Sequence, residues 1–212
     1  MVISQFIEPR LSGFLNSANT RWVYGNKVLY DMCKDNPTHD DADIVVGKIW
    51  LIGRSYAAAI ERTKGAGEAN DFYYDIVAPK MLSIGKELDR RIVELNAISH
   101  LSDQSLDSVL NTHKFLVDIF NDITNKEKRS LASKYLHFHC PAMFYIYDSR
   151  ASAAIRKAVK VNKDLLYRHY PCGCDTEYAN FCVRALELQE YIEEKHGRNV
   201  SPREIDNFLL YF

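Results

Sequence analysis

Residues 44–60 read Ile44-Val-Val-Gly-Lys-Ile-Trp-Leu-Ile-Gly-Arg-Ser-Tyr-Ala-Ala-Ala-Ile60, apolar around almost the whole circumference of a helix. A helix of that kind has no face to give to water and is expected at the centre of a core. Asp41 or Asp43 stands where an N-cap is needed, and the pattern runs to about residue 63. Other stretches repeat apolar residues at three- and four-residue spacing and read as helices around it. These are 2–17 with a break near Pro9, 20–33, 70–95 with a kink at Pro79, 103–123, 127–139 and 149–160. A further helix, 176–195, has Thr176 as its cap and Gly197 as its stop. The last opens on a capping box, Ser201-Pro-Arg-Glu204. Only 9 glycines and 6 prolines interrupt the chain, and no stretch alternates as a strand does. The expected class is all-α, with about eight or nine helices.

At 212 residues, 47% of them hydrophobic, the chain can bury a large core. It is expected to form a single helical domain, or two lobes, 1–103 and 104–212, around a cleft. No apolar run approaches the roughly 18–20 residues of a membrane span. Neither a basic leader nor a long apolar segment opens the sequence, so a cytoplasmic protein is expected. Five irregularly spaced cysteines fit reduced thiols better than a disulfide frame.

Net charge is −1, but it is unevenly spread. Residues 123–170 hold ten Lys/Arg against three acids, a balance of +7 that leaves −8 for the rest. Such a segment either faces phosphates or pairs with the acidic remainder. Lys126, Arg129, Arg150, Arg156 and Lys157 are the candidate nucleic-acid contacts. Within the segment Asp148 precedes Ser-Arg-Ala-Ser-Ala-Ala and is placed to cap a helix, where the amides stabilise its carboxylate. Facing a cleft, such an Asp serves as a base or balances a developing cation. Lys128 and Lys134 lie 20 and 14 residues before it. Either is a nucleophile if its surroundings favour the neutral amine, and a solvated surface lysine otherwise. Gly53-Arg-Ser-Tyr56 puts a cation in the apolar helix. Arg54 is expected to pair with an acid or hold an anionic ligand beside Asp148, and Gly53 to admit a close backbone. His137 and Tyr147, with Arg54 and Tyr56, are assigned to the cleft. His137 and His139 point different ways and would not share a metal. His169, Cys172 and Cys174 share a loop but lack the second pair of a structural zinc site, so no metal or cofactor is expected.

Ser130-Leu-Ala-Ser-Lys-Tyr-Leu-His-Phe-His-Cys-Pro-Ala-Met-Phe-Tyr-Ile-Tyr-Asp148-Ser-Arg runs helix, proline, aromatic–aliphatic linker, capping Asp. This resembles the end of the helix-hairpin-helix DNA glycosylase domain, particularly its 8-oxoguanine glycosylase-like branch. Pro202-Arg-Glu-Ile-Asp-Asn-Phe-Leu-Leu-Tyr resembles the closing helix of such proteins. The resemblance covers about 104–160 and the last ten residues. It implies an all-α enzyme that binds duplex DNA, flips a damaged base into a cleft and uses a Schiff-base lysine assisted by an Asp. Asp148 matches that Asp. Lys128 matches the lysine by its distance to the Asp, Lys134 by its place in the Ser-Lys-aliphatic text. The family's Gly-x-Gly turn, which grips a DNA phosphate, has no counterpart in Thr124-Asn-Lys-Glu-Lys-Arg-Ser. The alternative is a non-enzymatic all-α module for protein interaction or homo-oligomerisation.

Overall fold

A computed structural model describes residues 2–4, 7–16, 22–61, 71–161 and 173–211. Within them the chain is all-α, with nine α-helices and almost no strand. The helices are α1 (Glu8–Leu15), α2 (Val23–Asp35), α3 (Ala42–Ser55), α4 (Ala78–Asn96), α5 (Asp103–Thr124), α6 (Arg129–His139), α7 (Ser149–Ala158), α8 (Thr176–His196) and α9 (Pro202–Tyr211). Several of their ends obey the cap chemistry in the sequence. Asp41 accepts from the Ile44 amide at 3.1 Å, and Asp148 from the Ala151 amide at 2.8 Å. Ser201 and Glu204 exchange bonds as a capping box, at 2.9 and 3.3 Å. Gly197 closes α8 at φ 62°, a left-handed conformation that favours glycine. The cap of α8 is a correction: it is Asp175, accepting from the Tyr178 amide, with Thr176 already inside the helix.

The α3 helix buries Val45, Lys48, Ile49, Ile52 and Gly53, but Trp50 is 45% exposed and Leu51 37%. It is therefore covered by α2, α4 and α6 and open on its remaining face, not enclosed all round. It also stops at Ser55, short of residue 63. The chain folds back so that the Ala58 amide donates to the Gly53 carbonyl at 2.7 Å, with Ala57 at φ 52°. A Cβ on Gly53 would stand 3.1 Å from the Ala59 Cα, which is the close backbone approach expected there. Tertiary contact here overrides the helix preference of three alanines.

Pro79 lies in the first turn of α4, where its missing N–H is harmless, and the irregularity falls ahead of it as a π-turn, Tyr73–Val77. Pro9 likewise starts α1 and breaks nothing. Two short strands were not expected. β1 (Val2–Ile3) and β2 (Val159–Lys160) pair antiparallel, Val2 with Lys160 and Ile3 with Val159. The Ser4 amide also donates to the Ala158 carbonyl, so the N-terminal segment takes over the end of α7.

One apolar cluster runs from Ile7 to Leu209, so the halves 1–103 and 104–212 share a core. At its centre lies α6, packed by α2, α3 and α5, with every residue from Leu131 to His139 buried. No helix among the described residues is long and apolar enough to cross a membrane.

Candidate functional site

Lys134 is the unusual member of α6. It is 3% exposed in a helix otherwise lined with apolar and aromatic groups. Its ammonium donates to Ser130 Oγ one turn earlier, at 2.8 Å, and to the Tyr56 carbonyl at 3.2 Å. The fold-back after Gly53 is what delivers that carbonyl. Lys134 Nζ also lies 5.8 Å from the centroid of the Tyr56 ring, and the Arg203 guanidinium, from α9, lies 5.7 Å from it. The Tyr56 hydroxyl donates to Asn26 Oδ1 of α2 at 2.7 Å, and burial raises its pKa. Tyr56 thus joins α2, α3, α6 and α9 at one point.

The carboxylates reach this point from two further elements. The Tyr147 amide donates to Ser133 Oγ at 3.0 Å, which ties the residue before Asp148 to the residue before Lys134. Asp148 then starts α7 as its cap. Asp206, on α9, is 2% exposed. Its Oδ2 accepts from Arg203 at 2.6 Å, and among the described residues its Oδ1 has no hydrogen-bond partner. Burial pushes the Asp206 carboxyl up to about 7; Arg203 opposes the rise, Asp148 adds to it and Lys134 opposes it. Lys134 and Asp148 are therefore each within electrostatic reach of Asp206.

Of the two candidate lysines, Lys134 is the one brought to this cluster. Lys128, half-buried, occupies the N-cap position of α6, six residues or about 9 Å of helix rise away. Arg54 is 57% exposed and forms an ion pair with Glu61, the pairing with an acid that was one of its two expected roles. His137 is fully buried and faces no open cleft. Tyr30 donates to its Nε2 at 2.6 Å, and its Nδ1–H donates to the Phe144 carbonyl at 2.7 Å. Burial pushes His137 down to about 4 and Tyr30 up to about 12, so both stay neutral near pH 7. Tyr147 is half-buried, edge-on to Tyr178 and Phe181, with its hydroxyl on Glu177.

The basic segment splits in two. Arg129 is committed internally, its Nε 2.7 and 2.6 Å from the carboxylate oxygens of the buried Asp175. Arg156 pairs with Glu177 at 2.9 Å. Lys126, Arg150 and Lys157 are exposed, and among the described residues they have no ion-pair partner.

Sequence reasoning missed Arg203 and Asp206, and also a buried chain from Asp89 through His39 to Tyr135. There the His39 ring nitrogens lie 2.5 Å from Asp89 Oδ1 and 2.7 Å from the Tyr135 hydroxyl. Asp206 carried a readable signal. It lies among Pro202, Ile205, Phe208 and Leu209, on the side of α9 that the helical period turns inward. His39 carried none, because its loop gives no periodicity. His139 lies against His39 and Tyr135, apart from His137. No group of three metal-ligating side chains occurs among the described residues, and His169 and Cys172 lie outside them.

No protein-family model, no curated protein and no solved structure matches the chain.

Proposed function

We propose that the chain acts on duplex DNA as a base-excision enzyme, with Lys134 as nucleophile and Asp148 as the acid beside it. The observation that carries this reading is a buried amine turned onto a hydroxyl and a carbonyl, with the buried Asp206 carboxyl in its field. Desolvation and fixed neighbours are what make a lysine nucleophilic. The neutral amine adds to the sugar C1′. The bond from C1′ to the base breaks, and its electron pair leaves with the base. Of the two amine protons, one ends on the base and the other on O4′ as the sugar ring opens, leaving an imine. The exposed Arg150 and Lys157 lie on α7, whose N-terminus carries Asp148, and suit the flanking phosphates.

Borohydride trapping tests this. Duplexes containing 8-oxoguanine, uracil or an abasic site are incubated with the protein and the imine is reduced to a stable cross-link. We expect an adduct that Lys134→Ala abolishes and Lys128→Ala preserves. A second reading, a protein-interaction or oligomerisation module, draws on Trp22 and Tyr24, each 80% exposed at the start of α2. Absence of any adduct, together with DNA retention that ignores salt concentration, would sink the enzyme reading and favour the second.

A further inference from the structure

A cavity of about 380 Å³ opens between α2, α4 and the end of α6. That lies in the lower part of the range in which proteins hold small molecules, roughly 300–1,000 Å³. Its wall is mainly apolar. Tyr30 of α2 and Phe138 of α6 contribute rings whose centroids are 4.8 Å apart, and Ile92 of α4 and Pro141 extend the surface. Asp31 and Lys34 of α2 also line it and are opposite in charge, so the wall offers an occupant no net charge. Most of its polar atoms are committed. The Tyr30 hydroxyl donates to His137 Nε2 at 2.6 Å, and Asn96 Nδ2 to the His139 carbonyl at 3.0 Å. Burial pushes the Cys33 thiol up to about 12, so it stands in the wall as a neutral thiol and not as a nucleophile.

His139 is the exception. Its ring packs on those of His39 and Tyr135, each with its centroid 5.0 Å away, and the same residue lines the cavity. Its two neighbours satisfy each other, with His39 Nε2 2.7 Å from the Tyr135 hydroxyl. His139 is 8% exposed, and among the described residues its Nε2 has no hydrogen-bond partner. Burial holds the imidazole well below the ordinary histidine value, so it is neutral, with one N–H and one lone pair. A buried polar group left without a partner calls for an explanation. An imidazole with bonding capacity unspent, in an otherwise apolar wall, is how a small-molecule site is built: the apolar surface supplies affinity and a few polar groups fix orientation.

We propose that this cavity binds a small, uncharged aromatic molecule bearing a hydroxyl group, with its rings against Tyr30 and Phe138 and its hydroxyl on the His139 imidazole. Aromatic side chains favour offset or edge-on packing with such a ring system. A hydroxyl both donates and accepts, so it satisfies the imidazole in either tautomer. A charged ligand is disfavoured, because no unopposed charge in the wall would offset its desolvation. The proposal requires neither DNA nor Lys134 as a nucleophile.

The test uses the full chain and two probes of one shape, 2-naphthol and naphthalene. Affinities are read by saturation-transfer NMR, and the imidazoles are followed in nitrogen-15-labelled protein. Wild type should bind 2-naphthol about five- to tenfold more tightly than naphthalene, the worth of one hydrogen bond. Only 2-naphthol should shift the imidazole resonances that are absent from His139→Leu. That variant should retain naphthalene and lose the preference. His139→Gln supplies the assignment if His139→Leu does not fold. Lys34→Trp, which sets a large side chain at an exposed position of the wall, should weaken both probes about tenfold. Equal affinity for the two probes, or a preference that survives His139→Leu, overturns the contact between hydroxyl and imidazole. Failure of both probes to bind, or binding indifferent to Lys34→Trp, overturns the cavity as a site.

Discussion

Gly85→Ala is the sharpest probe of how the fold is assembled around α6. Gly85 lies in the buried face of α4, against the loop that carries His39. An added Cβ would fall well inside van der Waals distance of the His39 carbonyl oxygen, and 3.1 and 3.2 Å from its carbonyl carbon and Cβ. The loop must retreat by about 1 Å to restore an ordinary carbon–oxygen separation. That retreat strains three bonds: His39 N to Asp89 at 3.2 Å, His39 Nδ1 to Asp89 at 2.5 Å and His39 Nε2 to Tyr135 at 2.7 Å. Overpacking costs about 1–3 kcal/mol, and each weakened buried bond up to about 1 kcal/mol more. Replacing a helical glycine with alanine returns about 1 kcal/mol. The balance is a loss of about 2–3 kcal/mol, seen as a urea midpoint lowered by roughly 1 M. Gly47→Ala is the matched control, since a Cβ there meets nothing within 4 Å; it should gain about 0.5–1 kcal/mol. A Gly85→Ala protein as stable as Gly47→Ala would refute the tight seating of the His39 loop on α4.

Arg129→Ala should destabilise far more than Lys27→Ala. It leaves Asp175, 4% exposed, without its cation, at a cost of about 2–4 kcal/mol in urea unfolding. Lys27 and Asp31 form an exposed pair four residues apart on α2, and breaking it should leave the urea midpoint almost unchanged. The pH dependence of stability has a definite sign. His113 and His137 are pushed down to about 4 by burial. Their stabilisation is therefore full above the ordinary histidine value of about 6.5 and lost as pH falls toward 4. Asp206, pushed up to about 7, works oppositely: its contribution is full below the ordinary carboxyl value and lost as pH rises toward 7. Burial lowers His39 and His139 too, so the histidines outweigh Asp206 and stability should fall between pH 6.5 and 4.5. In Asp206→Asn the fall should be steeper by about 1.4 kcal/mol per pH unit in urea titrations. Equal slopes in the two proteins would show that the Asp206 proton is not held as inferred.

Helix α6 gives the site its character. A lysine in a fully enclosed helix would be a liability were its ammonium not met by groups from other elements. Ser130 lies one turn earlier on the same face, a pairing that spacing alone makes available. The Tyr56 carbonyl is available only because α3 ends early, and α3 ends early because Gly53 lets the chain return across it. Asp148 reaches the same region because Ser133 anchors Tyr147. The same packing explains why the basic segment is not one uniform patch. Arg129 is drawn into the pair with Asp175 that fixes the start of α8 to α6, while Arg150 and Lys157 stay on the outer side of α7.

Local rules determined the all-α class, the apolar faces and the caps Asp41, Asp148, Ser201 and Gly197, because these depend on residues a few positions apart. Asp148 was legible as a cap for that reason, and Lys134 as a candidate beside Lys128. Where the Lys134 ammonium would be held depended on the return of the chain after Gly53, a contact across 78 residues. Asp206 and Arg203 enter the site from α9, and His39 meets Asp89 and Tyr135 across 50 and 96 residues. The early stop of α3, the open face at Trp50 and the β1–β2 pair are also tertiary outcomes. Each depends on which surfaces other segments cover or which backbone groups they satisfy, and periodicity within one segment carries no record of either.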